Sequence, residues 1–310
     1  MRRNAPGADV TVISVTYNSA RDIIEALRSA ENAAARAGVS VEIIVVDNAS
    51  TDESVARVRQ AFGAARLVEN TENVGFGRAN NEAFALASGR RWLLLNPDAR
   101  LHPDALPTLL AAMDQLGAGA VAPSIGHSGA ESAGMAPSLP SIVGHFLFIN
   151  RLLPGDRGGP WRGVQLRRTA TVVPRPVDWA SAAALLLDPP AVRAVDGFDE
   201  RYFLYGEDVD LGVRLARAGH RTWLVPKARA EHAIAGSQGG VSSQWVVALH
   251  QLCRTDGDGM RLFAIGMAMA FGLTIRAVSS HARRRSPGGR LHAARMRAAA
   301  RRAWSLAFGA

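Results

Sequence analysis

The 310-residue chain predicts an α/β fold, a mostly parallel sheet with helices on both faces. Three observations carry this reading. β-Branched apolar runs recur, as in Val10-Thr11-Val12-Ile13-Ser14-Val15-Thr16 and over Val41 to Val46, and such continuous runs suit strands buried on both sides. Stretches of helical character separate them, the alternation that parallel βαβ units need. Polar residues gather where each strand stops, at Thr16-Tyr17-Asn18, Asp47-Asn48 and Asn96-Pro97-Asp98, and sheets of this kind bind ligands beyond the carboxyl ends of their strands.

Each element follows in turn. After the first strand, Asn18-Ser19 offers an N-cap for a helix to about Arg36. The second strand, Val41 to Val46, ends at Asp47. Ser50-Thr51-Asp52-Glu53 opens a helix to about Phe62, and Arg66 to Glu69 is a short strand. Asn73 to Gly77 is a glycine turn, followed by a helix over Ala79 to Ala87. Trp92 to Leu95 is a strand that stops at Asn96-Pro97-Asp98, and Pro103 opens a helix to Leu116. Residues 124–175 are rich in Gly, Pro and Arg and read as loops. Order returns at Val177-Asp178-Trp179 and Ala182 to Leu187. A helix over Asp208 to Ala218 ends at Gly219, a residue type suited to the left-handed position after a helix. Thr222 to Val225 is a further strand.

Composition bounds the possibilities. A hydrophobic fraction of 48% and a charged fraction of 20% exclude disorder across the chain. One cysteine, Cys253, excludes a disulfide framework and a cysteine-based zinc cluster, and reads as a small core residue. Met1-Arg2-Arg3-Asn4-Ala5-Pro6 carries no signal-peptide apolar region, so the expectation is a cytoplasmic protein. The net charge of +9 is confined to the last segment: from Arg254 onward 11 arginines face only Asp256 and Asp258. The rest of the chain is neutral and gives no electrostatic footprint for nucleic acid. The basic tail suits a polyanion, anionic lipid or nucleic acid, and a membrane surface is the expected partner. Within it, Leu262 to Ile275 is uncharged for 14 residues, short of the ~20 that a spanning helix needs, and reads as an interfacial or core-packed helix. Arg283-Arg284-Arg285 follows. Over Arg290 to Trp304, Arg290, Arg297 and Arg301 share one helical face while Leu291, Ala294 and Ala298 share another, the pattern of a surface-lying amphipathic helix.

Several side chains carry chemistry. Asp98 lies just past a strand end, where a carboxylate and a phosphate together would hold a hard cation such as Mg²⁺ or Mn²⁺. Gly206-Glu207-Asp208-Val209-Asp210 sets three carboxylates at a helix start behind the aromatic stretch Tyr202-Phe203-Leu204-Tyr205. Apolar surroundings there would raise a carboxyl toward a useful general base. His232, past Val225 and Pro226, would supply a neutral imidazole nitrogen to a metal. Asn73-Val74-Gly75-Phe76-Gly77-Arg78-Ala79-Asn80-Asn81 allows close backbone approach to a ligand ahead of a helix N-terminus. It is not a dinucleotide fingerprint, because Asn80 stands where a third glycine belongs.

The order and spacing of these motifs, together with Val45-Val46-Asp47-Asn48-Ala49-Ser50-Thr51-Asp52 and Gly197-Phe198-Asp199-Glu200, resemble the family 2 glycosyltransferases of the GT-A fold. Within that family they are most similar to bacterial rhamnosyltransferases and related galactofuranosyltransferases, over about residues 9–240. The resemblance implies a metal-dependent inverting sugar transfer from a nucleotide-diphosphate donor, dTDP-L-rhamnose or a UDP-sugar, to a lipid-linked saccharide acceptor. It implies that Thr16, Tyr17, Asn18, Asp47 and Asn48 line the nucleotide pocket, and that Gly75, Gly77, Arg78 and Asn80 border the donor. Asp98 would bind the metal on the diphosphate, with His232 completing its shell. Asp208 would be the catalytic base, Glu207 would orient the acceptor, and Asp178 and Trp179 would border the acceptor side. The expected organisation is a GT-A domain over 1–240, with a nucleotide half at about 9–122 and an acceptor half at about 123–240, and a basic helical extension over 241–310. One departure is Asn96, which replaces the first carboxylate of an Asp-x-Asp pair.

Overall fold

A computed structural model describes residues 8–127, 130–136, 146–147, 172–232, 243–254, 259–281 and 287–308. The chain forms two compact units. The first joins Met1–Ala133, Arg167–Phe203 and Glu207–Ala233; the second joins Gly134–Leu166, Leu204–Gly206 and Ile234–Ala310. Most of residues 124–175, and Arg283-Arg284-Arg285, lie outside the described residues.

The first unit is built on a sheet whose parallel half comes from β1 (Val10–Thr16), β2 (Val41–Asp47), β3 (Arg66–Glu69) and β4 (Arg91–Leu95). β1 pairs with β2 and β4, and β2 with β3, all in parallel. β5 (Ala99–Leu101) and β6 (Ala120–Ser124) follow, then the short strands β7 (Gly126–His127), β8 (Ala130–Glu131), β9 (Ala133–Gly134), β10 (Arg175–Val177) and β11 (Trp179–Ala180). β12 (Ala184–Leu187) runs antiparallel between β4 and β6, and β13 (Thr222–His232) runs parallel to β6. Val10, Val12, Ile44, Val45, Leu93 and Leu186 are all shut from solvent, the burial on both faces that their unbroken apolar runs predict.

The helices pack by their apolar stripes. α1 (Ile23–Ala37) buries Ile23, Ala26, Leu27, Ala30, Ala33 and Ala34, a spacing of three and four residues. α2 (Ser54–Ala61), α3 (Phe76–Leu86), α4 (Ala105–Leu116), α5 (Pro189–Arg193) and α6 (Glu207–Arg217) complete the unit. Phe84 on α3 stacks on Trp92 of β4 with ring centroids 4.7 Å apart. On its other side it meets Phe198 at 5.8 Å.

Several boundaries differ from the sequence expectation. Asn18 does not cap α1: the helix begins at Ile23, because Asn18 spends its side-chain oxygen on the Thr51 N–H at 2.8 Å. α3 opens at Phe76 instead of Ala79, immediately after Gly75. β13 does not stop at Val225. It continues through Pro226 to His232, with a shift of register against β6 between Val225 and Arg229. A proline lacks the N–H that a ladder needs, so the strand survives it only at such an irregularity. The extension then pairs antiparallel with β5, setting His232 opposite Ala99.

The second unit contains α7 (Ser243–Leu252), α8 (Gly259–His281) and α9 (Pro287–Phe308). Its core joins Phe146, Val246, Leu249, Cys253, Ile265, Met269, Leu273 and Ala303 among others. α8 reaches 23 residues, well beyond the uncharged run, and is the one helix among the described residues long and apolar enough to cross a membrane by length and composition. The apolar face expected on α9 as a surface-lying helix is not buried in the core of the unit. Leu291 is 45% exposed and Ala294 is also exposed, whereas Ala293, Met296, Ala299, Ala300, Ala303 and Ala307 are buried. Alanines lie all around this helix, so periodicity alone could not choose between its faces; Met296 supplies the larger side chain to bury.

Candidate active site

The first cluster grows from the register of β1 and β2. Thr16 and Asp47 are paired residues at the carboxyl ends of these strands. Both are buried, and Thr16 Oγ1 and Asp47 Oδ1 find no hydrogen-bond partner among the described residues. The other Asp47 oxygen accepts the Ser50 N–H at 2.9 Å. Buried polar atoms are normally satisfied, so this pair of open groups marks a place for a polar ligand. Asn48 ties the cluster to the glycine turn: its N–H donates to the Thr16 carbonyl at 2.8 Å and its Nδ2 donates to the Gly75 carbonyl at 3.1 Å. Tyr17 stands 52% exposed beside it, and Asn18 takes φ 53° and is fixed by Thr51 and by Ser50 Oγ.

Gly75 is required by backbone geometry. It has φ +90°, and a Cβ there would lie 2.6 Å from the Phe203 carbonyl oxygen. The same carbonyl accepts the Phe76 N–H at 2.9 Å, so the turn that begins α3 leans directly on the segment preceding α6. Gly77 follows within the first turn of α3. Asn80 is buried and donates to the Phe76 carbonyl at 2.9 Å, supporting the turn from within. Arg78 faces outward and pairs with Glu82 at 3.7 Å.

The second cluster depends on the unforeseen β5–β13 ladder. It brings His232 Nε2 to 3.0 Å from Asp98 Oδ1, with both side chains 23% exposed. Among the described residues no group of three or more His, Cys, Asp or Glu side chains is arranged to hold a metal. One carboxylate and one imidazole do not make a closed structural zinc site, which takes four protein donors. They fit a hard divalent cation that keeps water and shares substrate phosphate oxygens.

The third cluster is the start of α6. Glu207 is 6% exposed and its Oε2 has no partner among the described residues. Burial, and then the neighbouring Asp208, push its carboxyl up to about 8. Asp208 is partly open to solvent but densely enclosed, and burial raises it to about 6 against the opposing N–H groups of Val209 and Ala182. α6 sits hard against Asp178 and Trp179 at the start of β11: a Cβ at Gly212 would lie 2.2 Å from the Asp178 carbonyl oxygen.

These clusters share one sheet edge. β12 is antiparallel to β4, so its first residues lie beside the end of β4. The Ala183 carbonyl accepts the Asn96 N–H at 2.9 Å, two residues before Asp98. The preceding residue, Ala182, sets its backbone N–H beside the Asp208 carboxylate, where it lowers that group against the larger effect of burial. Thr16 and Asp47 occupy the same edge on β1 and β2.

Sequence reasoning missed the supporting residues. Asn81 grips Phe198 twice, accepting its N–H and donating to its carbonyl, each at 2.9 Å. Arg214 binds Asp210 at 2.6 Å and donates to the Val195 and Gly197 carbonyls. The four-residue spacing of Asp210 and Arg214 was a helical signal for that pair. Asn81 had no comparable signal, because its partner is 117 positions away.

A parallel edge with buried, open polar groups and an acid helix beside a carboxylate–imidazole pair is the arrangement of a GT-A glycosyltransferase. Solved enzymes share the fold. A mannosyltransferase from Pyrobaculum calidifontis in complex with GDP-Man and Mn²⁺ aligns over 96% of this chain and 89% of its own, with a TM-score of 0.53 and 19% identity. TarS of S. aureus aligns over 90% of this chain with a TM-score of 0.53 and 15% identity, and the chain spans 46% of that protein's length. The chain belongs to glycosyl transferase family 2, whose sequence model matches residues 11–171. The N-acetylglucosaminyl-diphospho-decaprenol L-rhamnosyltransferase of Mycobacterium tuberculosis is 32% identical over 254 residues, covering 77% of this chain and 81% of that enzyme.

Proposed function

We propose that the chain is an inverting hexosyltransferase that moves L-rhamnose from dTDP-L-rhamnose to a hydroxyl of a lipid-linked saccharide in cell-envelope glycan synthesis. The observation that carries this reading is the shared edge of Asp98, His232 and Asp208, tied through the consecutive residues Ala182 and Ala183. The choice of rhamnose and of a polyprenyl-diphosphate-linked acceptor rests on likeness to the mycobacterial enzyme.

In this reading Thr16, Tyr17, Asn18, Asp47 and Asn48 hold the nucleotide. The open Asp47 oxygen and the Thr16 hydroxyl offer it hydrogen bonds. Gly75, Gly77, Arg78 and Asn80 shape the wall along the donor, Asn80 from inside the turn. Asp98 and His232 hold the divalent metal, Mg²⁺ or Mn²⁺, which when bound neutralises charge on the diphosphate. Asp208 accepts the proton of the acceptor hydroxyl as that oxygen bonds the anomeric carbon. The bond from that carbon to the diphosphate oxygen breaks on the opposite face, and the nucleoside diphosphate leaves with the electron pair. Glu207, protonated below about pH 8 by its burial, donates a hydrogen bond that orients the acceptor without adding a second negative charge. Asp178 and Trp179 border the acceptor. The GT-A body spans about 1–240, and the basic helical extension over 241–310 meets an anionic membrane surface on the cytoplasmic side.

The test is a panel of nucleotide sugars titrated with and without divalent metal, followed by diphosphate release with a lipid-linked acceptor. Metal-dependent binding of dTDP-L-rhamnose and its turnover are expected. Turnover of a different donor would reassign the sugar, and no binding of any nucleotide sugar would sink the reading.

A further inference from the structure

The second unit exposes an apolar ridge. Among the described residues 12 large apolar side chains are exposed, and seven of them sit on α8 and α9. On α8 they are Met260, Phe263, Phe271, Ile275 and Val278. At 3.6 residues per turn, Met260, Phe271 and Val278 fall within about 20° of one line along the helix, with Ile275 and Phe263 about 60° to either side. The opposite flank, with Ile265, Met269 and Leu273, is buried in the core of the unit. The ridge runs about 27 Å at 1.5 Å per residue. It continues onto α9, where Phe308 meets Phe263 edge-on with ring centroids 6.0 Å apart. A face of this kind on a soluble surface marks a binding site.

The charge beside it identifies the occupant. Arg290, Arg301 and Arg302 are exposed on the outer flank of α9, next to the exposed Leu291 and Phe308. The segment from Arg254 holds 11 arginines, no lysine or glutamate, and only two aspartates. A second copy docked symmetrically would set these arginines against their own equivalents. A bilayer with anionic headgroups meets both demands, taking the apolar ridge at the acyl boundary and the guanidinium groups among the phosphates. Crossing the bilayer is a poorer fit. The window Leu262–Ser279 has a mean hydropathy of 1.7, but 44% of it is buried inside the protein. Its partner α9 carries Arg290, Arg295, Arg297, Arg301 and Arg302 along the same length, and a hydrocarbon core excludes such a row.

We infer that the Met260–Val278 face of α8, with Leu291 and Phe308 of α9, is an interfacial membrane-binding face that lies in the plane of the bilayer. This deepens the proposed membrane-side role and rests on it only for the position of the acceptor. It extends the apolar contact from the predicted α9 stripe to α8.

The test uses the full chain and sedimentation with vesicles of phosphatidylglycerol mixed with phosphatidylcholine, and with phosphatidylcholine alone. The wild type is expected to bind the mixed vesicles and to be released by alkaline carbonate. Phe271→Ser with Val278→Ser is expected to weaken that binding by about tenfold or more, and Phe263→Ser alone to weaken it in the same direction. Arg301→Gln with Arg302→Gln is expected to weaken binding and flatten its salt dependence. Donor binding, read on the same samples, is expected to be unchanged, because every altered residue lies in the second unit. Unchanged vesicle binding by the apolar variants would overturn the inference. So would a wild-type dimer that these variants convert to monomers, or resistance to carbonate extraction. Loss of all nucleotide-sugar binding by the wild type with vesicle binding intact would strike the transferase reading and leave this one standing.

Discussion

Replacing Glu207 by glutamine separates the two acids at the start of α6. The buried Glu207 carboxyl is raised from 4.5 to about 8, first by desolvation and then by Asp208. An acid raised in the folded state stabilises fully below its unfolded pKa, and that contribution is lost as pH climbs through the folded value. For Glu207 the window therefore runs from 4.5 to about 8. At roughly 1.4 kcal/mol per unit, such a shift has a ceiling on the order of 5 kcal/mol, and relaxation around the charge brings the expected loss to about 2–4 kcal/mol. Glu207→Gln keeps the shape without the titration. Urea unfolding at about pH 5 and about pH 8.5 should show the wild type losing more stability than the variant across that interval. The acid limb of kcat/KM should remain near 6 in both proteins, since burial alone raises Asp208 and Glu207 is already neutral there. Equal losses of stability in wild type and variant would refute the assignment of a buried, protonated Glu207.

Three further outcomes follow from the site. Asp208→Asn should retain donor binding by calorimetry yet lose about 10²-fold or more in kcat; wild-type turnover would remove Asp208 from the role of base. His232→Ala should raise the metal concentration needed for half-maximal donor binding by about tenfold or more, and chelation of the wild type should weaken donor binding in parallel. An unchanged metal titration would place the cation elsewhere. Gly212→Ala should cost about 1–3 kcal/mol by overpacking against Asp178, read as a lower Tm; a neutral change would show that the β11–α6 contact is loose.

The parallel strands could be read because their signal is local. Val10 to Thr16 and Val41 to Val46 carry β-branched apolar residues on both faces, and a strand covered on both sides buries most of those side chains. Glu207 and Asp208 were conspicuous for a similar reason, two neighbouring acids behind an aromatic stretch. The features that escaped depend on distant partners. Nothing between Pro226 and His232 announces a strand, since the ladder is completed by Ala99 to Leu101, and a proline argues against it. Asn18 looks like a cap until Thr51 and Ser50 arrive from the next βα loop.

The backbone step from Ala182 to Ala183 has a mechanical consequence. Ala182 sets its N–H beside the Asp208 carboxylate, and the next residue, Ala183, holds the turn that leads to Asp98. Consecutive α-carbons are ~3.8 Å apart and joined by a planar bond, so the two backbone anchors cannot separate by more than one peptide step. Loops around the site can vary in sequence while these two anchors stay on consecutive residues. On the proposed mechanism, the proton acceptor and the metal-side turn would then keep neighbouring anchors whichever sugar is carried.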